Sequence, residues 1–118
     1  MTTQAIAEKL VSLWKAGKFM ESGETYWDDA VVSIEPSPDA PESIGKEAAR
    51  GKGQWWENAH DVHSVQVDGP WVNGDQFTVR FTMDVTVKET GVRLTMDEIG
   101  LYTLRGGRIV EERFFYNS

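Results

Sequence analysis

The chain contains no cysteine, which excludes disulfides, thiolate nucleophiles and cysteine-based metal sites. Histidine is nearly as scarce. The two present, His60 and His63, are spaced too closely to act as two ligands on one strand face, and no carboxylate pattern completes a set. No metal and no cofactor is therefore expected. Positive charge is in the minority, with 12 Lys and Arg against 19 Asp and Glu and a net charge of −7. With no Lys/Arg run to offset this, the chain lacks the basic field that nucleic acid or an anionic membrane surface would need. No apolar run approaches membrane length, and Met1-Thr-Thr-Gln leads into an amphipathic segment without an apolar signal core. A cytoplasmic protein is the expectation. The glycines at Gly51 and Gly53 fit no phosphate-loop spacing, and no nucleophile–base pair stands out among the serines.

What the chain does have is a long, strictly alternating segment. From Gln76 the odd positions Phe77, Val79, Phe81, Met83, Val85 and Val87 are apolar, and the even positions between them are polar. A period of two is the mark of a strand with one buried and one wetter face. After Glu89-Thr90-Gly91 a second strand runs to Leu104, with Leu94, Met96, Tyr102 and Leu104 on one face, interrupted by Glu98 and Gly100. Glu-Thr-Gly suits a three-residue loop, which would set Asp97 beside the odd face of the first strand; a two- or four-residue loop would set Glu98 there. The hydrophobic pattern favours Glu98, because a one-residue slip would turn Phe81 and Met83 outward. On either register one carboxylate of the pair points inward, an expensive position unless it is paired, protonated or beside a wet cavity.

The 118 residues suffice for one domain with one core. Thr3 is a plausible cap for a first helix carrying Ile6, Leu10, Leu13 and Trp14 on one stripe and stopping at Gly17. Phe19 to Trp27 reads as a second helical piece, and Ala30 to Glu35 as a short strand. Pro36 to Ser43, with three of the four prolines, reads as a loop. A third helix is expected over Lys46 to Asn58, with a kink near Gly51 and Gly53. His60 to Asp68 reads as a strand with His63, Val65 and Val67 on one face; Gly69-Pro70 and Asn73-Gly74 mark turns. Arg105-Gly106-Gly107 reverses the chain into a last strand, Arg108 to Tyr116. Helices gathered on one side of a curved antiparallel sheet make an α+β fold.

Four segments carry a resemblance: Lys15-Ala-Gly17, Tyr26-Trp-Asp-Asp-Ala30, Ile44-Gly-Lys-Glu-Ala48 and Gly106-Gly-Arg-Ile-Val-Glu-Glu112. Together they resemble the SnoaL-like branch of the nuclear transport factor 2-like superfamily, over essentially the whole chain, 1–118. The resemblance implies a cone in which a curved antiparallel sheet and three helices from the N-terminal half enclose a pocket on the concave face. It also implies a homodimer through the convex face. Members include ketosteroid isomerase, polyketide cyclases, dehydratases and epoxide hydrolases, along with binding domains that perform no chemistry. Against ketosteroid isomerase, the catalytic base falls near Glu35, the helix tyrosine falls at Leu10, and the protonated aspartate falls near Gly100, one same-face step from Glu98. Steroid isomerisation is not supported by that pattern.

If the resemblance holds, the concave face takes Phe77, Val79, Phe81, Met83, Glu98 and Tyr102 from the hairpin, and Val110, Glu112, Phe114 and Tyr116 from the last strand. The last-strand set assumes a three-residue Arg-Gly-Gly loop. Glu98 is the leading candidate for general acid or base, Glu35 the second, and His63 a third as proton shuttle. Tyr102 and Tyr116 are candidates to orient a carbonyl or hydroxyl, and Phe81, Met83, Phe114, Glu112 and Trp56 to line the site. Trp55 and Trp56 leave their helix on different sides, so one at most should reach the cavity. The expected partner is a hydrophobic small molecule. The opposite face of the hairpin carries Ile99 and Leu101 among threonines, which suggests cover by a second copy of the chain.

Overall fold

The alternating segment folds as two long paired strands, β4 (Gln76–Val87) and β5 (Arg93–Arg105), in a computed structural model that describes residues 1–39 and 41–117. Phe81 faces Glu98 across the pair and Met83 faces Met96, so the register is the one the hydrophobic pattern favours. The connection is a four-residue loop, Lys88 to Gly91, closed by Val87 N–H to Val92 O and Gly91 N–H to Val87 O, both 2.8 Å. Asp97 consequently lies on the outer face, held by Arg80 at 2.6 Å.

Ahead of the hairpin stand α1 (Thr3–Lys15), α2 (Phe19–Tyr26), β1 (Trp27–Ile34), β2 (Glu42–Ile44), α3 (Lys46–Ala59) and β3 (His60–Asn73); β6 (Arg108–Phe115) follows it. The six strands form one curved, unclosed sheet in the order β2-β1-β6-β5-β4-β3. Four of the five neighbouring pairs are antiparallel, but β1 runs parallel to β6, which makes the sheet mixed. The parallel step arises because β1 and β6 are joined by most of the chain rather than by a hairpin. Among the described residues no helix is long and apolar enough to cross a membrane.

Several local expectations need correction. Thr2 rather than Thr3 caps α1, its hydroxyl accepting from Ala5 N–H at 3.1 Å. The strand expected from Ala30 begins at Trp27, with an irregular register between Trp27 and Val32. The proline-rich stretch does not remain a loop to Ser43: β2 forms within it and pairs with β1, Ser33 opposite Ser43. Ala40, inside the same stretch, lies outside the described residues, as does Ser118. Gly69-Pro70 does not end β3; the strand runs through it with a register shift between Asp68 and Trp71. The second reversal is a two-residue turn on Gly106 and Gly107, whose φ values of 58° and 77° suit a turn needing positive φ at both positions. A bulge at Val110 then shifts β6 by one residue, so that Ile109 packs inward while Val110 does not, and Glu112 and Phe114 return to the concave face. Two departures from the expected geometry thereby cancel at Glu112.

The core sits between the helices and the concave face. Ile6, Ala7, Leu10, Val11 and Trp14 form the buried stripe of α1, against Phe77, Val79, Phe81 and Val85 of β4. Trp14 is the junction. Its ring lies 5.3 Å from Phe81 and 4.9 Å from Tyr102, and its indole N–H donates to Ser22 Oγ at 2.9 Å, tying α1 to α2. Gly100 is buried on β5 because the Tyr102 ring crosses it. A Cβ at position 100 would stand 2.7 Å from Tyr102 Cε2. Gly100→Ala must displace that ring, and overpacking of this kind costs about 1–3 kcal/mol. The loss should be seen as a lower urea midpoint at unchanged slope; an unmoved midpoint would mean that Tyr102 is not pinned there.

Candidate functional site

Between α2, α3 and the concave sheet lies an open cavity of about 410 Å³. Its walls are apolar and aromatic, with Phe19, Met20, Phe81, Met83, Met96 and Phe114 among them. Such a volume with a few polar groups is the usual form of a small-molecule site. The polar groups come from three directions. Glu98 projects from β5, Glu112 from β6 and Glu35 from just beyond β1, while Lys52 reaches in from α3. Tyr102 lies within the cavity and Tyr116 at its mouth.

The three carboxyl groups have three different surroundings. Glu112 is deeply buried and fully engaged: Trp27 Nε1 donates to Oε1 at 2.6 Å, and Ser33 Oγ donates to Oε2 at 2.8 Å. Burial pushes its pKa up, opposed by those two hydrogen bonds and the Lys52 charge. Glu35 is held by Lys52, with Nζ to Oε1 at 3.1 Å. Lys52 also donates to Ser33 Oγ, which links its ammonium through Ser33 to Glu112, and it stands 5.1 Å from the centre of the Phe114 ring. Glu98 is half-buried opposite Phe81 and, among the described residues, has no hydrogen-bond or ion-pair partner. Loss of water raises its pKa to about 7, reinforced by the Glu35 charge and offset in part by Lys52. Burial, then the nearby glutamates, pushes the Tyr102 hydroxyl well above its ordinary range. Burial and Glu35 bring Tyr116 up to about 12.

A carboxyl group poised near neutrality inside an apolar hollow can either give or accept a proton at working pH. Lys52 supplies a fixed positive charge where negative charge could develop on a bound oxygen.

Of the residues singled out in the sequence, Glu98, Glu35, Tyr102, Tyr116, Phe81, Met83, Phe114, Glu112 and Trp56 all border this cavity. His63 does not. A register shift in β3 between Val62 and Ser64 turns it to the outer face, where Nε2 lies 2.7 Å from Thr86 Oγ1. It is therefore not placed to shuttle a proton in the pocket. Trp55 also reaches the cavity edge, although 66% exposed, so both tryptophans of the pair border it. His60 stacks on Trp56 at 4.4 Å, with Nδ1 2.7 Å from Trp56 O. Lys52, Ser33 and Trp27 were not anticipated. The first had a legible signal: Ala49, Lys52 and Trp56 share one face at spacings of three and four. Ser33 alternates with Val31 and Glu35 on one strand face. Among the described residues no group of three His, Asp or Glu is disposed to hold a metal.

The profile of the SnoaL-like domain matches residues 1–116. The chain belongs to the SnoaL-like family. A Mesorhizobium loti protein named as a candidate SnoaL-like polyketide cyclase, with carbohydrate phosphatase as a second name, is 50% identical, with a TM-score of 0.94 over 98% of this chain and 100% of that one. A candidate isomerase from Bacillus subtilis is 21% identical at a TM-score of 0.83, over 99% and 90% of the two chains. A candidate SnoaL-like polyketide cyclase from Jannaschia sp. CCS1 is 19% identical at 0.79, over 97% and 85%. The latter two share the fold. No curated protein sequence matches the chain.

In this SnoaL-like protein the raised pKa of Glu98 has a consequence for stability. Below the ordinary carboxyl value of 4.5 both folded and unfolded chains carry the proton, and Glu98 costs nothing. As pH rises towards 7 the unfolded chain releases the proton first, and the penalty on the fold grows until it is complete above 7. Glu98→Gln should therefore stabilise the protein at pH 8 by up to about 3 kcal/mol and hardly at all at pH 4. Thermal unfolding of both proteins across that range checks this; a pH-independent difference would contradict it.

Proposed function

We propose that this SnoaL-like protein binds a hydrophobic carbonyl compound in the cone and moves a proton beside the carbonyl, in an isomerisation, cyclisation or dehydration. The observation that carries the reading is Glu98, a carboxyl group with no partner in an apolar cavity and a pKa of about 7. Glu35 is engaged by Lys52 and Glu112 by Trp27 and Ser33, which leaves Glu98 as the carboxyl group free to exchange a proton with a ligand. Of the two activities in the name of the M. loti protein, polyketide cyclase agrees with this class of chemistry and carbohydrate phosphatase does not.

The test needs no natural substrate. In D2O, a bicyclic aryl ketone such as 1-tetralone should exchange its α-hydrogens faster with the protein than without it, the rate rising with pH through about 7 as Glu98 ionises. Glu98→Gln should lower the protein-dependent rate by about 10²–10⁴-fold. Ketone binding with exchange unaffected by that substitution would favour the second reading, a binding module without chemistry.

We also infer that the convex face pairs with a second copy. Trp71, Ile99 and Phe115 are 58%, 46% and 47% exposed on that face, which also carries the Arg80–Asp97 and Arg93–Asp84 pairs. An apolar patch rimmed by charge suits an isologous contact. Sedimentation velocity should find the wild type a dimer and Ile99→Asp a folded monomer; a monomeric wild type would overturn this.

A further inference from the structure

One buried polar atom at the cavity, Glu35 Oε2, lacks a full partner, and the Lys52 ammonium that holds the other oxygen of the same carboxylate keeps a donor to spare. Lys52 has three N–H donors. One goes to Ser33 Oγ and one to Glu35 Oε1, and among the described residues no protein acceptor takes the third. Glu35 Oε2 is buried and has no well-aligned donor; the Tyr116 hydroxyl comes close enough for the Glu35 charge and a weak hydrogen bond to raise its pKa, without giving that oxygen a full partner. A buried carboxylate oxygen without a donor is costly, so its position beside a cavity calls for a donor from the ligand side. The nearby ammonium supplies the complementary donor, within reach of the same ligand atom because Nζ and Oε1 are 3.1 Å apart. One chemical group satisfies both at once: a hydroxyl, whose oxygen accepts from Lys52 Nζ while its hydrogen goes to Glu35 Oε2. An ether or ketone oxygen can meet only the lysine. Ser33 and Glu112 fix the ammonium from behind, and the Phe114 ring beside Lys52 is a wall against which a flat ligand can lie.

We propose that the Lys52–Glu35 pair is a hydroxyl-recognition subsite, and that the ligand of the cone is a hydroxylated hydrophobic ketone rather than a plain one. This rests on the carbonyl reading above and adds to it the second functional group on the substrate.

The test compares 1-tetralone with its 5-, 6- and 7-hydroxy derivatives and the matching methyl ethers, with affinities read from quenching of the protein's tryptophan fluorescence. At least one hydroxy isomer should bind about tenfold or more tighter than its methyl ether and than 1-tetralone itself, the discrimination expected of one charge-assisted hydrogen bond. Glu35→Gln should shrink that preference, read as a ratio of affinities within the same variant, to about threefold or less, which separates hydrogen bonding from mere crowding by the methyl group. The wild-type ranking stands as a test even if that variant is poorly folded. If plain and hydroxylated ketones bind equally at all three positions while Glu98-dependent exchange persists, the subsite falls and the carbonyl reading survives. If no ketone binds and no exchange is seen, both fall. If the hydroxyl preference persists in a folded Glu35→Gln protein, the donor is read elsewhere and the assignment to Glu35 is wrong.

Discussion

The register of the β4–β5 pair is the constraint on which the rest depends. With the four-residue loop at Lys88 to Gly91, Phe81 meets Glu98 on the concave side and Arg80 meets Asp97 on the convex side. Moving the pairing by one residue would exchange every side chain between the two faces. The bidentate hydrogen bonds of Arg80 to Asp97 and Arg93 to Asp84 hold the outer face in the same register, and burial of Phe77, Val79, Phe81, Met83 and Val85 holds the inner one. Burial supplies most of that specification: ion pairs this exposed are screened by water and weak, whereas each large apolar side chain is worth about 1.5–3 kcal/mol. Glu98 is carried inward by its neighbours.

Once the register is set, the site follows from how unequally the cavity treats its carboxyl groups. Glu112 is deepest yet has both oxygens hydrogen-bonded; Glu35 is shallower and has one oxygen on a lysine; Glu98 has neither form of compensation. Identical side chains thus acquire separate chemical characters from position alone. Lys52 is the hub of this arrangement, because its charge favours the ionised form of Glu112 and of Glu98 while it holds Glu35 directly. Removing it would change both titrations together.

Much of this was legible in the chain, for identifiable reasons. The β4 alternation is unbroken over its whole length, so its buried face could be read from periodicity; the loop left Asp97 and Glu98 both open, and the hydrophobic pattern favoured the inward Glu98 that the pairing shows. The cone and its α+β composition could be read from the order of elements and from the family resemblance. Bulges were not legible. The one in β3 turned His63 outward, and the one at Val110 restored Glu112 to the pocket after the glycine turn proved a residue shorter than expected. A bulge depends on long-range pairing and leaves little local trace in a β-rich stretch. β2 was missed because its proline-rich surroundings read as loop, and its pairing partner β1 supplies the hydrogen bonds that local sequence could not promise. Lys52 was overlooked because a lysine on a helix usually marks the wet side.

The most direct measurement is the titration of the Glu98 carboxyl by carbon-13 NMR on protein labelled at glutamate, its resonance assigned by its loss in the Gln variant. The account predicts a midpoint near 7. A midpoint at the ordinary value of 4.5 would mean that water reaches Glu98 freely, and the argument for a proton-transfer site in the cone would be contradicted.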